Sequence, residues 1–405
     1  MLKLYNTFGR RVEPFRTDKG KQAAIFTCGP SVYQRAHIGN FRTFLYEDIL
    51  ARYLIYSGYA VDRGMAVTDI EDKAVTEAEK RRTTVKELTD RNISQFIDEM
   101  KLLRMKIPDY MPRASECVDE AVWIIRQLLD KKIAYAHGGN IYFDPLRVRG
   151  FGKLFGLDMS QWPKKKRRFH KDTYPGIQWN YGDFILWHGC EISEKACWDT
   201  VLGEGRPSWN VQDPSMVMKH FDRTLSVFCG GIDNLYRHHD YSLAILESVR
   251  PYPMARFWLH GAHLHVDGQK MSKSTGNILY TDMLMKKGHT PQEIRLFLMY
   301  GHYREKLNYC GIAMKAVAEK LQDLRKRVAG IKRRAGTSRP AETRTSADLK
   351  RSFVSAMDND MQVKEAFDGI KNMVDALDVK TLVPSHAAGI IRTLEGIDDV
   401  LQVIF

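Results

Sequence analysis

Apolar residues along the chain alternate between short β-type runs and longer stretches at helical spacing. The apolar, β-prone run at residues 23–27 leads into the turn Cys28-Gly29-Pro30, and residues 41–54 then repeat apolar side chains with a helical period. A second strand is expected at about 59–67. Strand, glycine turn and helix is the order of a nucleotide site in a doubly wound sheet, where the ligand lies at the carboxyl end of the strand.

The rest of the pattern predicts an α/β fold: a Rossmann-type doubly wound parallel sheet with an insertion, followed by a C-terminal helical bundle. We expect a catalytic domain over residues 1–310, with the insertion at about 135–225, and a helical bundle over 311–405. The expected elements are helices at 84–103 and 114–132, strands at 226–233 and 257–261, a helix at 313–331, a polar linker at 335–347 and two or three further helices.

Length and composition exclude several classes of protein. With 405 residues and 44% hydrophobic residues, the chain can bury a large core in two or three domains. No apolar run approaches the roughly 20 residues of a membrane span, and the N-terminus lacks the apolar core of a signal peptide. The six cysteines show no pairwise spacing, which favours reduced thiols and a cytoplasmic location. No membrane partner is expected.

The formal net charge of +13 indicates a polyanionic partner, ATP at least and RNA as a further option. The basic run at residues 164–168 falls in the expected insertion. Such a run is most often a solvated loop, and RNA contact is the alternative interpretation.

Two short motifs carry the chemistry. His37-Ile38-Gly39-Asn40 precedes the first helix, and Lys270-Met271-Ser272-Lys273-Ser274 follows about 230 residues later. In this order they look like the ATP-binding motifs of a class I aminoacyl-tRNA synthetase, which joins a carboxylate to the α-phosphate of ATP. An imidazole and an amide at a helix start can bind phosphate oxygens, and two lysines stabilise developing negative charge. His37, Asn40, Lys270 and Lys273 are the expected catalytic residues.

Further segments make the resemblance specific, and the sequence closely resembles cysteinyl-tRNA synthetases from Met1 to about residue 400. The matching segments are Cys28–Tyr33, Val67–Lys73, Asp183–Trp187, Gly205–Trp209, Gly230–Asp233, His238-His239 and Gly301–Arg304. The resemblance implies ATP with Mg²⁺ as the nucleotide substrate, a small amino acid and a tRNA acceptor. We expect an amino-acid pocket formed by Cys28, Gly29, Thr68, Trp209, Asp233 and His238, with Asp233 binding the substrate ammonium.

The resemblance also implies a zinc ion held by two cysteines, a histidine and a glutamate. Cys28 and His238 match, but Asp213 occupies the second cysteine position and Ser242 the glutamate position. Cys28, Asp213 and His238 could form a three-donor site, yet serine is a poor ligand. The sequence therefore predicts well under one zinc per chain and poor use of cysteine. Cys229 is a spare thiol near the pocket, and a small buried side chain is its simpler interpretation.

Proteins of the family that the chain resembles usually have a small anticodon-reading domain after the helical bundle. The chain is expected to stop before that domain. Three functions remain open at this stage. The first is a ligase of the cysteine–tRNA type, and the second is a biosynthetic ligase that joins cysteine or another small amino acid to a small amine or a carrier. The third is an inactive tRNA-binding paralogue.

Overall fold

The computed structural model describes residues 1–165, 168, 182–190, 196–271 and 275–405. The strands of these residues are β1 Lys3–Asn6, β2 Arg11–Pro14, β3 Gln22–Thr27, β4 Ala60–Met65, β5 Ala134–His137, β6 Asn140–Phe143, β7 Phe184–Gly189, β8 Gly205–Pro207, β9 Leu225–Gly231, β10 Ala255–Gly261, β11 Leu264–Val266, β12 Gln269–Lys270 and β13 Leu307–Tyr309. The helices are α1 Ile38–Tyr56, α2 Asp72–Lys80, α3 Val85–Leu102, α4 Val118–Asp130, α5 Trp209–His220, α6 Tyr241–Val249, α7 Thr281–Lys286, α8 Pro291–Met299, α9 Gly311–Ala335, α10 Arg344–Asp358, α11 Val363–Asp375 and α12 Pro384–Leu401.

The central sheet has the strand order β10-β9-β3-β4, and all of its pairs are parallel. Ile25 pairs with Val227 in this sheet, so strands about 200 residues apart in sequence lie side by side. Parallel neighbours need long crossover connections, which the helices supply here. The expected Rossmann-type parallel sheet is confirmed.

Each face of the central sheet packs into a separate core because successive side chains of a strand point to opposite faces. On β9, Val227 and Cys229 belong to the core that contains α1 and the C-terminal helices. Phe228 belongs to the second core, which contains residues of α4, α5 and α6. Buried helices therefore cover both faces, as a doubly wound sheet requires.

The segment expected as an insertion contains an antiparallel sheet of order β5-β6-β7-β8. This sheet leads directly into α5, whose N-cap Ser208 accepts a hydrogen bond from the backbone N–H of Asn210. The switch to antiparallel pairing explains why the residue pattern changes in this region. Of the basic run, residues 166 and 167 lie outside the described residues.

Two of the expected boundaries differ from the structure. Helix α10 begins at Arg344, inside the expected linker, because Thr343 and Ser346 form a reciprocal capping box. The helix expected at 114–132 starts as a 3₁₀ turn, Ala114–Glu116, before α4 begins at Val118. Capping chemistry explains the first difference, whereas neither the 3₁₀ turn nor α4 has a side-chain cap.

A disulfide joins Cys190 to Cys197, next to β7 and β8. The expectation of reduced thiols is therefore wrong for this pair. Cys28, Cys117, Cys229 and Cys310 are free. Among the described residues, no helix is both long enough and apolar enough to cross a membrane.

Candidate functional site

A cavity of about 230 Å³ lies at the carboxyl ends of β3, β4 and β9. Five of the six expected pocket residues line it: Cys28, Gly29, Thr68, Trp209 and Asp233. They come from four separate parts of the sequence and meet because parallel strands end at one edge of the sheet. The cavity is thus at the position where doubly wound sheets bind ligands.

Gly29 allows two chain segments to meet at the floor of the cavity. A Cβ at this position would lie 1.7 Å from the carbonyl oxygen of Ala66, so no other residue fits. The adjoining residues pair like neighbouring strands: the Thr68 N–H donates to Pro30 and the Val32 N–H donates to Thr68. Backbone packing therefore fixes the segments that carry Cys28 and Thr68.

One end of the cavity, here called the nucleotide end, is built on the start of α1. His37 is the N-cap, and its Nδ1 accepts a hydrogen bond of 3.2 Å from the backbone N–H of Asn40. The Asn40 Oδ1 accepts in return from the backbone N–H of His37 at 3.0 Å. Both side chains thus stabilise a helix N-terminus, whose positive end favours a phosphate. Asn40 also lines the cavity.

The second motif meets the first at this end. The Cε of Met271 lies 3.8 Å from the point that a Cβ on Gly39 would occupy, and Met271 is buried. The backbone N–H of Ile38 donates to the carbonyl of Leu279, just beyond the loop, at 3.0 Å. Lys270 is exposed at the end of β12. Ser272, Lys273 and Ser274 lie outside the described residues.

A buried group of four metal-type donors lies behind the cavity, and we call it the buried cluster: Cys28, Asp213, His238 and His239. One potential ligand atom from each lies within 4.8 Å of the others, and all four residues are buried. His238 Nε2 lies 2.8 Å from Asp213 Oδ2. The cluster contains the three donors expected from the sequence and one more.

The additional donor is His239, which sequence reasoning missed. Its Nδ1 lies 2.8 Å from His260 Nε2, and His260 Nδ1 lies 2.9 Å from the Thr7 hydroxyl, so this chain of contacts orients the ring. Its Nε2 is buried and has no hydrogen-bond partner among the residues that the structure describes. A Cβ on Gly230 would lie 2.9 Å from that atom and 3.5 Å from the Cβ of Cys28.

The backbone explains why two adjacent histidines can face one cluster. Residues Leu235–Asp240 form a π-helical turn before α6. In a π-helical turn, successive side chains are rotated about the helix axis by a smaller angle than in an α-helix. Such turns are frequent at functional sites. The adjacent pair His238-His239 is visible in the sequence, but the wider turn is not.

Burial sets the ionisation of the cluster. Burial, with a smaller contribution from the charge of Asp213, raises the pKa of the Cys28 thiol well above its usual value. Burial, with the neighbouring His260 and His238, lowers the pKa of His239 well below its usual value. A neutral imidazole is the form that a metal ion binds.

The donor types fit a divalent ion such as zinc, which binds thiolate, imidazole and carboxylate. Besides His239 Nε2, the atoms Asp213 Oδ1 and His238 Nδ1 are buried and have no hydrogen-bond partner within the described part of the chain. Buried polar atoms without partners are rare because each costs about 1–3 kcal/mol. A bound ion or water would supply the missing interactions.

Two other positions were singled out in the sequence. Ser242 is fully buried, and its hydroxyl has no hydrogen-bond partner among the described residues. Cys229 points to the opposite face of the sheet, into the core that contains α1. It is buried there, which agrees with its simpler interpretation as a small core residue.

Trp209 covers His238, while Cys28 both lines the cavity and belongs to the cluster. The Trp209 ring stacks on His238 with centroids 3.9 Å apart and planes at 4°. His238 is completely buried behind it, and is the one expected pocket residue that does not line the cavity. Asp233 is exposed at the cavity, and the neighbouring Asn234 donates to Cys28 Sγ at 3.4 Å.

Comparisons with known proteins agree with this geometry. Residues 14–319 match the family described as tRNA synthetases class I (C) catalytic domain. A cysteine–tRNA ligase from Chlamydia pneumoniae is 33% identical over 415 residues, which covers 100% of this chain and 86% of the relative. A cysteine–tRNA ligase from Solibacter usitatus is 32% identical over 413 residues, with 100% and 87% covered.

Solved structures show the same fold at low sequence identity. A Mycobacterium tuberculosis methionyl-tRNA synthetase in complex with methionyl-adenylate gives a TM-score of 0.65 at 15% identity, covering 95% of this chain and 90% of that one. A ternary complex of Agrobacterium radiobacter LeuRS with tRNA and LeuAMS gives 0.67 at 13% identity, covering 96% and 84%.

Proposed function

The chain belongs to the class I aminoacyl-tRNA synthetases, among the cysteine–tRNA ligases, and from this premise we propose that it activates a small amino acid with ATP and transfers it to tRNA. The meeting of the two motifs at one end of the cavity carries this proposal. Gly39 and Met271 are neighbours there although they are more than 200 residues apart in sequence. A nucleotide bound at the start of α1 would lie beside both.

The proposed first step forms an aminoacyl adenylate. A carboxylate oxygen of the amino acid attacks the α-phosphorus of ATP, a new P–O bond forms, and the bond to the β-phosphate breaks. Pyrophosphate leaves with the electron pair. Mg²⁺ neutralises phosphate charge, and Lys270, with Lys273 of the same motif, stabilises the leaving group. His37 and Asn40 hold phosphate oxygens at the helix N-terminus.

The second step is the transfer. A hydroxyl of the acceptor attacks the carbonyl carbon of the adenylate, and AMP leaves. Cytoplasmic tRNA is the proposed acceptor because curated relatives at about 33% identity are named cysteine–tRNA ligases. The acceptor hydroxyl must reach the same carbonyl, which requires the cavity to stay open at the surface.

The amino acid occupies the other end of the cavity in this proposal. The exposed Asp233 carboxylate forms a charge-assisted hydrogen bond with the substrate ammonium. Trp209 closes the side-chain end, and Cys28 and Thr68 form its walls. The cavity volume of about 230 Å³ is consistent with a small amino acid.

We further propose that Cys28, Asp213, His238 and His239 hold a zinc ion. When bound, zinc supplies a Lewis-acidic centre that attracts a thiolate. The four donors equal in number the set that the resemblance implies, with Asp213 and His239 in place of a cysteine and a glutamate. A bound ion would attract a substrate thiolate, whereas apolar contacts alone would separate small side chains by only about 10–200-fold.

Amino-acid-dependent exchange of pyrophosphate into ATP tests the proposal. Each standard amino acid is assayed with and without tRNA, followed by transfer of the labelled amino acid to tRNA. We expect exchange with a small amino acid in the absence of tRNA, because the chemistry of the first step does not need the acceptor.

Each outcome identifies one function. Exchange followed by charging of tRNA supports the proposal. Exchange without charging, together with transfer to an added small amine or carrier, identifies the biosynthetic alternative. No exchange with any amino acid, in a protein that binds tRNA, identifies the inactive paralogue and rejects the proposed activity.

A further inference from the structure

Arg35 lies two residues before His37 and lines the cavity, but the activation chemistry proposed above does not use it. Its guanidinium reaches two separate parts of the chain. Nε donates to Glu99 Oε1 of α3 at 2.6 Å, and Nη1 lies 2.6 Å from Asp282 Oδ1 of α7. We call Arg35 and these two carboxylates the arginine brace. One side chain thus joins the segment before α1 to two other helices.

The outer arm of the brace ends on the segment that follows the second motif. Tyr280 is the N-cap residue of α7, and the Arg35 Cζ lies 4.7 Å from the centroid of its ring. The carbonyl of Leu279 accepts the hydrogen bond from the backbone N–H of Ile38. Residues 279–282 are therefore held against residues 35–38 by one backbone hydrogen bond and by the contacts of Arg35.

The same segment is connected to Lys270 of the second motif. The Asn277 Nδ2 donates to the carbonyl of Lys270 at 3.3 Å, and Asn277 precedes Leu279 by two residues. A short path of contacts thus leads from Lys270 through Asn277 to the start of α7, and from there through Arg35 to the segment of His37. The position of α7 sets how far Lys270 lies from the nucleotide end.

The two arms of the brace differ in exposure. The Glu99 side chain is 8% exposed and that of Arg35 25%, whereas that of Asp282 is 44% exposed. Burial raises the pKa of the Glu99 carboxyl, and Arg35 and Thr281 oppose the shift. The Thr281 hydroxyl donates to Glu99 Oε2 at 3.2 Å. Glu99 therefore anchors Arg35 inside the protein, and Asp282 is the arm that can be removed without leaving a buried charge unpaired.

From these contacts we infer that Arg35 is a positioning residue for adenylate formation, which holds the start of α7 and the second motif attached to it against the segment of His37. The inference rests on the proposed function, since it assigns a role in that reaction. A guanidinium suits this role because it is a rigid planar fork that bonds two carboxylates at once. Stabilisation of the leaving pyrophosphate depends on this distance, since a displacement of about 1 Å can cost about 10²-fold in rate.

Kinetics of a mutant cycle test the inference. Asp282→Asn keeps the size of the side chain and removes the charge of the outer arm. Arg35→Met and the double variant complete the cycle. The matched control is Lys286→Met, because the exposed Lys286 lies 3.7 Å from the other oxygen of the same Asp282 carboxylate. Pyrophosphate exchange gives kcat and the KM of each substrate, and hydrogen–deuterium exchange follows residues 279–287 without substrates.

We expect Asp282→Asn and Arg35→Met each to lower kcat about tenfold or more. The KM of the amino acid should stay unchanged, because Cys28, Thr68 and Trp209 lie on other segments. The double variant should be no slower than the slower single variant, since both changes remove one contact. Residues 279–287 should exchange hydrogen faster in all three, and Lys286→Met should match the unmodified protein.

Equal kcat in Asp282→Asn and Lys286→Met would overturn the inference. A loss confined to Arg35→Met would also overturn it, because the guanidinium would then contact the nucleotide directly. Losses that multiply in the double variant would show that the two residues act separately, with the same consequence.

Failure of the proposed function gives a different result. An unmodified protein that shows no pyrophosphate exchange with any amino acid rejects the activity. Hydrogen exchange then decides the brace alone: faster exchange of residues 279–287 in Asp282→Asn than in Lys286→Met supports it, and equal exchange overturns it.

Discussion

The nucleotide end of the cavity and the buried cluster are built in opposite ways. The nucleotide end uses backbone: a helix N-terminus, a glycine and one loop, with His37 and Asn40 within one turn of each other. The buried cluster uses side chains from three distant segments, Cys28, Asp213 and the pair His238-His239. The nucleotide end should tolerate little change, because backbone groups form it. The buried cluster should tolerate a change of donor, because side chains from several segments reach the same space.

The largest effect is expected from a substitution of His37 at the nucleotide end. His37→Asn keeps a good N-cap residue but removes the imidazole, so α1 should stay intact. We expect the rate of pyrophosphate exchange to fall by about 10²–10³-fold, the usual cost of one electrostatic donor. The measurement is steady-state exchange with saturating amino acid.

His137→Asn is the matched control, since His137 is exposed on the β5–β6 hairpin. It should leave exchange unchanged. A His37→Asn protein as active as this control would show that the imidazole does not act on the phosphates. A melting temperature equal to that of the unmodified protein would exclude loss of the helix as the cause of a lower rate.

The second effect concerns the buried cluster and its metal. Three donors, as the sequence predicts, leave well under one zinc per chain, whereas four donors should retain nearly one. We expect elemental analysis of protein purified without chelator to give nearly one zinc, and Cys28→Ser or His239→Asn to lower it strongly. Cobalt substitution should add visible absorption bands that Cys28→Ser changes.

Ser242→Ala is the matched control for these variants. It lies at the position of the missing glutamate ligand, and a neutral hydroxyl is a poor zinc ligand, so zinc content should not change. Zinc well below one in the unmodified protein would restore the three-donor interpretation. Zinc lost from Ser242→Ala but retained in His239→Asn would place the ligand at Ser242 instead.

The smallest expected effect concerns helix α1, which contributes to the nucleotide end and also contacts the backbone beside the buried cluster. Tyr46 on α1 donates to the carbonyl of Gly230 beside the cluster at 2.9 Å. Its neighbour Glu47 is fully buried, with Arg63 Nη2 3.9 Å away. Burial raises the pKa of Glu47 to about 8, and Arg63 and Thr27 partly oppose the shift.

A carboxyl whose pKa is higher in the folded than in the unfolded state binds its proton more tightly when folded. Its contribution to stability is therefore complete below about pH 4.5 and falls as the pH rises to about 8. Glu47→Gln should remove this component from the pH dependence of the free energy of unfolding. Glu395→Gln, an exposed control on α12, should retain it. Equal pH profiles for the two variants would contradict the assignment.

Much of the fold and of the nucleotide end could be predicted because their determinants are local. The strand at 23–27, the turn at Gly29 and the helix from residue 38 each follow from neighbouring residues. The sequence alone did not show which face of the central sheet Cys229 occupies. In β9 it follows Phe228, and successive side chains of a strand point to opposite faces, so Cys229 lies in the core opposite to that of Phe228.

The sequence by itself determined the parallel α/β sheet, the two motifs and five of the residues that line the cavity, because hydrophobic period and turn chemistry act over a few residues. Only the tertiary structure decided that His239 joins Cys28, Asp213 and His238. A π-helical turn and a contact with His260 orient the His239 ring, and both depend on packing between distant segments.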